Sequence, residues 1–203
     1  MTSDTRDRIR AAALGEFCDK GYGACVDDIA RRAGVVKQTL YHHFGSKDAL
    51  FRDALQGLAD ELLVDLERGT GSLREDLLRF AESYRSKASS EQGLALHRMI
   101  VAESQRFPEL SLAVHEAGIL PAWRALAKLL KEAMRRGELR REDPDFAADM
   151  LLSMLAGHER GRQLIGVPDA GDSAADRSEK IVDCFLRAYA PAQAPERVKG
   201  NKK

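Results

Sequence analysis

Residues 26–44 constrain the fold more than any other part of the chain, because a single glycine separates two short stretches with helical spacing. The spacing predicts one helix over Val26–Ala33 and a second over Lys37–His43. Gly34 lies between them and tolerates the left-handed backbone that a tight turn requires. Apolar side chains that can fill the angle between the helices, and a small one where they cross, are Ile29, Val35, Leu40 and Ala30. Together these features predict a helix-turn-helix.

The outer face of the second helix carries groups that suit the major groove of DNA. A lysine can donate to guanine, Gln38 can pair with adenine, and the Thr39 methyl group can touch the thymine methyl group. Tyr41 and Lys47 are placed for phosphates, and a helix that begins after Ser46 adds backbone N–H donors. The candidate DNA contacts are Lys37, Gln38, Thr39, Tyr41, His42 and Lys47. The same pattern also fits the solvated face of a small helical bundle.

The inner face of this helix is expected to hold it against the neighbouring helices. Leu40 points inward in this interpretation, and Val36, His43 and Phe44 lie near the same side.

Helical periodicity continues through the rest of the chain, and no stretch alternates in the manner of a strand. The prediction is an all-α protein of about nine helices. The turn-rich segment at 68–72 separates the fourth helix from those that follow. We predict a DNA-binding region at 1–50, a larger helical region at 51–190 and a disordered basic tail at 191–203.

Composition limits the class of protein. The chain has 203 residues, of which 44% are hydrophobic and 32% charged, as in soluble globular proteins. No run approaches the roughly 18 apolar residues that span a bilayer, and the N-terminus is too polar for a signal peptide. Three widely spaced cysteines favour reduced thiols in a cytoplasm. We therefore expect a cytoplasmic protein without a membrane partner.

Charge gives no general support for nucleic-acid binding, because the formal net charge is zero. The first fifty residues hold eight Lys or Arg against seven Asp or Glu. A DNA-binding interpretation therefore depends on where the charges lie rather than on how many there are.

The segment "VDDIARRAGVVKQTLYHHFGSKDALF" (26–51) resembles the N-terminal domain of TetR/AcrR-family transcriptional regulators. The resemblance is specific over about residues 5–52. Further along, "AESQRFPEL" and "RGELR" followed by "DP" are weakly similar to the C-terminal domain of an AefR-like branch. The resemblance implies a three-helix DNA-binding domain and a helical domain for ligand binding and dimerisation. It also implies a homodimeric regulator, most often a repressor, that a small molecule releases from a near-palindromic operator.

Two positions depart from the family pattern. The family has Ser or Thr before the third helix, where this chain has Val36, and a Thr/Ser pair before the second helix, where it offers Cys25. Both are helix N-cap positions, and an apolar residue there lowers the free energy of unfolding by about 1 kcal/mol. We keep Cys25 only as a candidate for backbone proximity to DNA, and we expect weaker or altered DNA affinity. Cys25 beside DNA also leaves open a redox-responsive regulator.

The last two long helices are expected to form the homodimer, over 146–165 and 174–189. The first has Phe146, Met150 and Met154, followed by Gly157 and Gly161, whose small size lets another helix approach closely. The second offers Ile181, Phe185 and Ala188. An ordinary intrachain core is the alternative for both helices.

The small-molecule pocket should be mostly apolar with a few inward polar groups. The candidate lining residues are Phe80, Tyr84, His97, Ile100, Glu103, Trp123, Leu126, Met150, Met154 and His158. Trp123 also fits a core position, while His97 and Glu103 also fit satisfied buried or rim groups. His97, His115 and His158 come from different helices without metal-ligand spacing, so we expect no metal site and no cofactor.

No nucleophile elbow, phosphate loop or zinc-protease motif occurs, so we expect no catalytic activity. The alternative to a DNA-binding regulator is a helical small-molecule-binding protein or enzyme that has this fold without DNA function.

Overall fold

A computed structural model describes residues 2–67, 71–167 and 174–191. The helices are α1 (Thr2–Lys20), α2 (Val26–Ala33), α3 (Lys37–Phe44), α4 (Lys47–Glu67), α5 (Leu73–Ser89), α6 (Glu91–Glu103), α7 (Pro108–Ala113), α8 (Leu120–Arg136), α9 (Pro144–Leu164) and α10 (Ala174–Ala188). A π-helical segment, Val114–Ile119, joins α7 to α8. Within the described ranges this makes nine continuous helical bodies and no strand, which confirms the all-α prediction. The predicted tail lies, apart from residue 191, outside the described residues.

Local sequence signals account for several helix boundaries. The Ser46 Oγ accepts a hydrogen bond from the Ala49 N–H at 3.0 Å, which confirms Ser46 as the predicted N-cap of α4. Ser90 caps α6 in the same way, and Asp143 caps α9 just before a proline in the first turn. These side chains satisfy backbone donors that a helix start otherwise leaves without a partner.

The helices build two hydrophobic cores. The first core joins α1–α3 and the first half of α4 to Leu96, Met99, Leu110 and Ala113 of α6 and α7. The second core lies among the end of α4 and helices α5, α8, α9 and α10. Leu50, Phe51, Ala54 and Leu55 of α4 belong to the first core, so the N-terminal helices pack on residues well beyond position 50. The division of the chain at residue 50 stays a prediction.

Helix α9 is bent at Gly157, whose backbone has φ 53° and ψ −179°. Residues that carry a side chain rarely adopt a positive φ, so glycine suits this bend. Just before it, the buried Arg85 of α5 donates from Nη1 to the Leu155 carbonyl at 3.1 Å. Its Nη2 donates to Glu159 at 2.7 Å, and Arg177 of α10 lies 3.0 Å from the same carboxylate. An ion-pair network built around the buried Arg85–Glu159 pair therefore joins α5, α9 and α10 at the bend.

Candidate DNA-binding surface and internal cavity

The turn between α2 and α3 has the predicted geometry. Gly34 has φ 66°, and its N–H and that of Val35 donate to the carbonyls of Arg31 and Ala30, which closes the end of α2. Ile29 is fully buried in this angle and Val35 packs against the same core. The helix-turn-helix geometry therefore follows from these small and apolar residues.

The two faces of α3 are divided largely as the sequence predicts. Leu40 is fully buried and Phe44 is buried, so they hold the helix from behind. The outer face is exposed at Lys37, Gln38, Tyr41 and His42 and half-exposed at Thr39. The polar face is thus a continuous surface that a DNA groove could contact.

Val36 differs from its prediction. The sequence places it near the inner face, but its side chain is 66% exposed. The reason is its backbone: Val36 is the N-cap of α3, with the extended φ −84° and ψ 151°, and so it lies outside the helical repeat. Cys25 is the N-cap of α2, and neither residue makes a side-chain capping hydrogen bond. Both predicted losses of a cap are confirmed.

An acidic neighbour of the outer face was missed in the sequence. The Lys37 Nζ lies 3.0 Å from the Asp27 carboxylate of α2. This hydrogen bond, and a weaker one from the Cys25 thiol, lower the pKa of Asp27, and the same bond raises the pKa of Lys37. The first lysine of α3 is therefore already paired when DNA is absent.

Lys47 ties the start of α4 to the loop before α2. Its Nζ donates to the Tyr22 carbonyl at 2.8 Å and lies 4.9 Å from the centre of the Tyr22 ring. The Tyr22 hydroxyl donates to Asp48 at 2.7 Å. Burial and this hydrogen bond raise the pKa of Tyr22. Lys47 is half-buried, so it combines a structural contact with a position at the edge of the candidate DNA surface.

The cysteines are all unbridged. Cys25 and Cys184 are exposed, whereas Cys18 is half-buried and burial raises the pKa of its thiol. The Cys25 thiol donates to Asp27, the partner of Lys37, so it lies close to the candidate DNA surface, and its place among the DNA contacts stays a prediction. Its redox role stays a prediction.

A cavity of about 380 Å³ lies between α4, α5, α6, the π-helical segment and Arg160 of α9. Tyr84 and Ile100, two of the ten predicted ligand residues, line it. Most other lining groups are apolar, and the polar ones include Gln92, Lys87 and Arg160. The remaining lining residues are Leu55, Leu58, Ala59, Glu61, Leu62, Ala88, Ser90, Gly93, Leu96, Val114 and Gly118. The leucines of α4 recur at helical spacing in the sequence, a pattern equally typical of an ordinary core.

The other eight predicted ligand residues lie outside this lining. Phe80 is fully buried behind Tyr84, with ring centres 6.0 Å apart, and His97 lies behind Arg160. Glu103 lines a separate shallow depression next to Cys18 and Gly21.

Helices α8 and α9 carry the remaining five. Leu126 is fully buried in the second core, where Met154 is packed at the edge. The Trp123 indole is half-buried and donates to Asp149 at 2.7 Å. Met150 and His158 are exposed. These residues pack in or against the second core or face solvent, and none of them contributes to the cavity lining.

The outer face of α9 is a stripe of exposed residues at helical spacing: Phe146, Met150, Ser153, Gly157 and Gly161. Apart from neighbouring residues and the backbone of α9 itself, a Cβ atom at Gly157 or Gly161 would meet no atom of the described residues within 4 Å. Their small size therefore serves no helix contact within the described chain. On α10, Phe185 is buried and stacks on Tyr189, Ile181 is half-buried, and Ala188 is exposed. Phe185 thus packs within its own chain rather than on an outer face.

Across the described ranges, no group of three His, Cys, Asp or Glu side chains is arranged to hold a metal ion. None of the helices in those ranges is both long and apolar enough to span a bilayer.

Two family models match the chain. The one described as "Bacterial regulatory proteins, tetR family" matches residues 9–54, and the one described as "AefR-like transcriptional repressor, C-terminal domain" matches residues 75–191. The first covers the helix-turn-helix, and the second covers the helices that surround the cavity apart from α4.

Individual proteins agree with these matches. The chain is 28% identical over 191 residues to an uncharacterised helix-turn-helix-type transcriptional regulator, YdeS of Bacillus subtilis, covering 94% of this chain and 90% of that one. A crystal structure of a TetR-family regulator from Mesorhizobium loti superposes with a TM-score of 0.76 at 26% identity, over 94% and 98% of the two chains. The flavonoid-responsive regulator FrrA superposes with a TM-score of 0.69 at 32% identity, also over 94% and 98%.

Proposed function

Because the chain belongs to the TetR family of bacterial transcriptional regulators, we propose that it binds a near-palindromic operator as a homodimer and that a small molecule in the cavity releases it. The observation that carries the proposal is the exposed polar face of α3 above a buried Leu40 and Phe44. The relatives above are described as transcriptional regulators, which supports this role over catalysis.

Helix α3 is the element that reads the bases in this proposal. Gln38 pairs with adenine, Lys37 donates to guanine once it leaves Asp27, and the Thr39 methyl group meets thymine. Tyr41 and Lys47 hold the helix to phosphates, which fix its position without carrying sequence information. His42, also exposed, lies at the same face.

A pair of such helices requires a dimer. Two half-sites one turn apart need recognition helices separated by about 34–36 Å. The exposed stripe on α9 supports an isologous contact, because Phe146 and Met150 are large apolar side chains in solvent and the two glycines leave room for a second helix. The outward residues of α10, such as Cys184 and Ala188, would complete it in place of the buried Phe185.

The coupling between ligand and DNA runs through the first core. Leu55 and Leu96 line the cavity and also belong to the core that holds α1–α3. The rings of Tyr22 and Phe107 meet edge-on at 5.3 Å, and Arg52 of α4 pairs with Glu116 of the π-helical segment at 2.9 Å. A ligand that shifts α4 or α6 would therefore shift the helix-turn-helix. Coupling of about 1–3 kcal/mol changes DNA affinity about 5- to 150-fold.

Fluorescence anisotropy with a labelled fragment of the protein's own promoter region tests the proposal. We expect tight binding that weakens steeply with salt, because phosphate contacts release counterions. A scrambled fragment of equal length is the control, and equal affinity for both fragments at moderate salt would contradict sequence-specific binding. Failure to bind any fragment would favour the alternative, a helical small-molecule-binding protein.

Two substitutions distinguish base contacts from phosphate contacts in that assay. Gln38→Ala should change the base preference at one position of each half-site, whereas Lys47→Ala should weaken binding to all sequences about equally. Unchanged binding by both variants would show that the assigned face is wrong. Circular dichroism of Lys47→Ala serves as a folding control, because Lys47 also contacts the Tyr22 carbonyl.

A further inference from the structure

We propose that the cavity binds an amphipathic carboxylate, whose anionic end pairs with Arg160 and whose apolar body lies against the leucines of α4. This inference rests on the proposed function only in identifying the ligand as the effector. The binding site itself is inferred from an unneutralised positive charge, Arg160, that is partly buried in the cavity lining.

The charges that line the cavity do not cancel. They are one acid, Glu61, and two bases, Lys87 and Arg160, which leaves one positive charge. The Lys87 Nζ lies 2.6 Å from the Glu61 carboxylate, so this pair neutralises itself. Arg160 is the cation that remains.

No carboxylate within the described ranges lies within ion-pair distance of Arg160. Its Nη2 lies 3.2 Å from His97 Nδ1, and its Nε is buried without a hydrogen-bond partner there. The neighbouring Glu159 is already engaged with Arg85 and Arg177. A partly buried guanidinium without an anion has lost water without gaining a counter-charge, so an anionic ligand would be stabilised there.

His97 does not supply that counter-charge. Burial and the Arg160 charge lower the pKa of His97, which favours the neutral ring. In that form Nδ1 accepts from Arg160 and orients the guanidinium. The planar guanidinium has several N–H donors in a fork that matches a carboxylate, and one donor is used here.

The other lining residues determine which apolar group of the ligand fits the cavity. Leu58, Leu62, Ile100 and Val114 offer aliphatic surface, and Tyr84 adds one aromatic ring. The cavity volume of about 380 Å³ is in the range of small-molecule sites, about 300–1,000 Å³. A single acyl chain or a small aromatic ring system with one carboxylate fits this combination of an apolar wall and one cation.

Isothermal titration of the full-length protein without DNA tests this assignment. The probes are octanoate against octanol and octylamine, and 1-naphthoate against 1-naphthol, so that the two series separate an aliphatic from an aromatic body. We expect at least one carboxylate to bind about tenfold or more tightly than its neutral partner, a difference of about 1.4 kcal/mol. Arg160→Gln should abolish that preference, and Arg160→Lys should retain part of it.

Arg124→Gln is the matched control, because it removes the same charge from an exposed position outside the lining. It should bind the carboxylates like the unmodified protein, and thermal melting checks that each variant is folded. Equal binding of the neutral or cationic probes, no binding of either carboxylate, or an anion preference that survives in Arg160→Gln would overturn the proposal. Release of operator DNA is measured separately, so a carboxylate that binds without releasing DNA would contradict only its role as effector.

Discussion

Helices α4, α6 and α9 begin differently from helices α2 and α3. The first three are closed by a side-chain oxygen, from Ser46, Ser90 and Asp143. The two helices of the DNA-reading motif begin at Cys25 and Val36, which satisfy none of the backbone donors with their side chains. Every helix start leaves N–H groups without an intrahelical partner. Helices α5 and α7 also begin without a side-chain capping hydrogen bond, at Ser72 and Phe107, so what sets α2 and α3 apart is that their uncapped starts lie beside the candidate DNA surface.

Helix starts without a side-chain cap, such as those of α2 and α3, suit a surface that binds an anion. Backbone N–H groups at a helix N-terminus attract phosphate through their orientation and the helix dipole. In the proposed complex, DNA phosphates complete these two helix starts, while the free protein forgoes about 1 kcal/mol of capping at each. A change of cap should therefore alter the stability of the free protein at any of these starts, but it should alter affinity for DNA only at starts beside the candidate DNA surface.

The largest effect is expected from removal of the existing caps. Ser46→Ala and Asp143→Ala should each lower the free energy of unfolding by about 1 kcal/mol, because a backbone donor loses its partner. Only Ser46→Ala should also weaken DNA binding, since Ser46 lies next to Lys47 at the candidate DNA surface. Urea denaturation and fluorescence anisotropy measure the two quantities. A loss of DNA affinity in Asp143→Ala as well would remove the distinction between starts beside the candidate DNA surface and starts elsewhere in the chain.

A smaller gain is expected from supplying a missing cap. Val36→Ser should raise the free energy of unfolding by about 0.5 kcal/mol, the low end of measured capping effects. It should also tighten DNA binding, because the hydroxyl can reach a phosphate. Val36→Ala is the matched control, since it removes the exposed apolar group without adding an acceptor. If Ser and Ala at this position behaved alike in both assays, the cap would have no role here.

The smallest effect concerns the acid beside the recognition helix. Asp27→Asn should leave stability nearly unchanged, since the pair with Lys37 is exposed to solvent and its charges are screened. DNA affinity should rise modestly, because Lys37 is released and a negative charge leaves the phosphate-facing side. Asp28→Asn removes the same charge from the next position, where Lys20 and Arg31 are the partners. An equal gain in both variants would indicate a general charge effect rather than release of Lys37.

The sequence was most informative where structure is decided locally. Gly34 ends α2, Ser46 starts α4, and Leu40 lies inside because its neighbours along the helix fix its direction. The prediction that Val36 lies near the inner face is wrong because it applies helical spacing to a residue that precedes the first turn of α3. The Lys37–Asp27 pair was missed because it joins two helices whose relative position the pattern alone did not supply.

The cavity was much harder to predict. The sequence pattern favours isolated aromatic and histidine residues of α8 and α9, such as Trp123 and His158, as ligand contacts. The lining instead comes from leucines of α4 that look like ordinary core residues, and from Arg160, which looks like an ordinary surface arginine. Whether such residues line a cavity depends on how α4, α5 and α6 pack, and one-dimensional periodicity does not contain that information.

The shared first core also limits how this protein could be recombined in evolution or in the laboratory. Leu96 and Met99 of α6 and Leu110 of α7 cover apolar side chains of α1 and α4. A segment cut after residue 50 would carry every candidate DNA contact but lose that cover. We therefore expect that a chimera must also inherit α6 and α7 to retain its stability, and α6 brings part of the cavity lining with it.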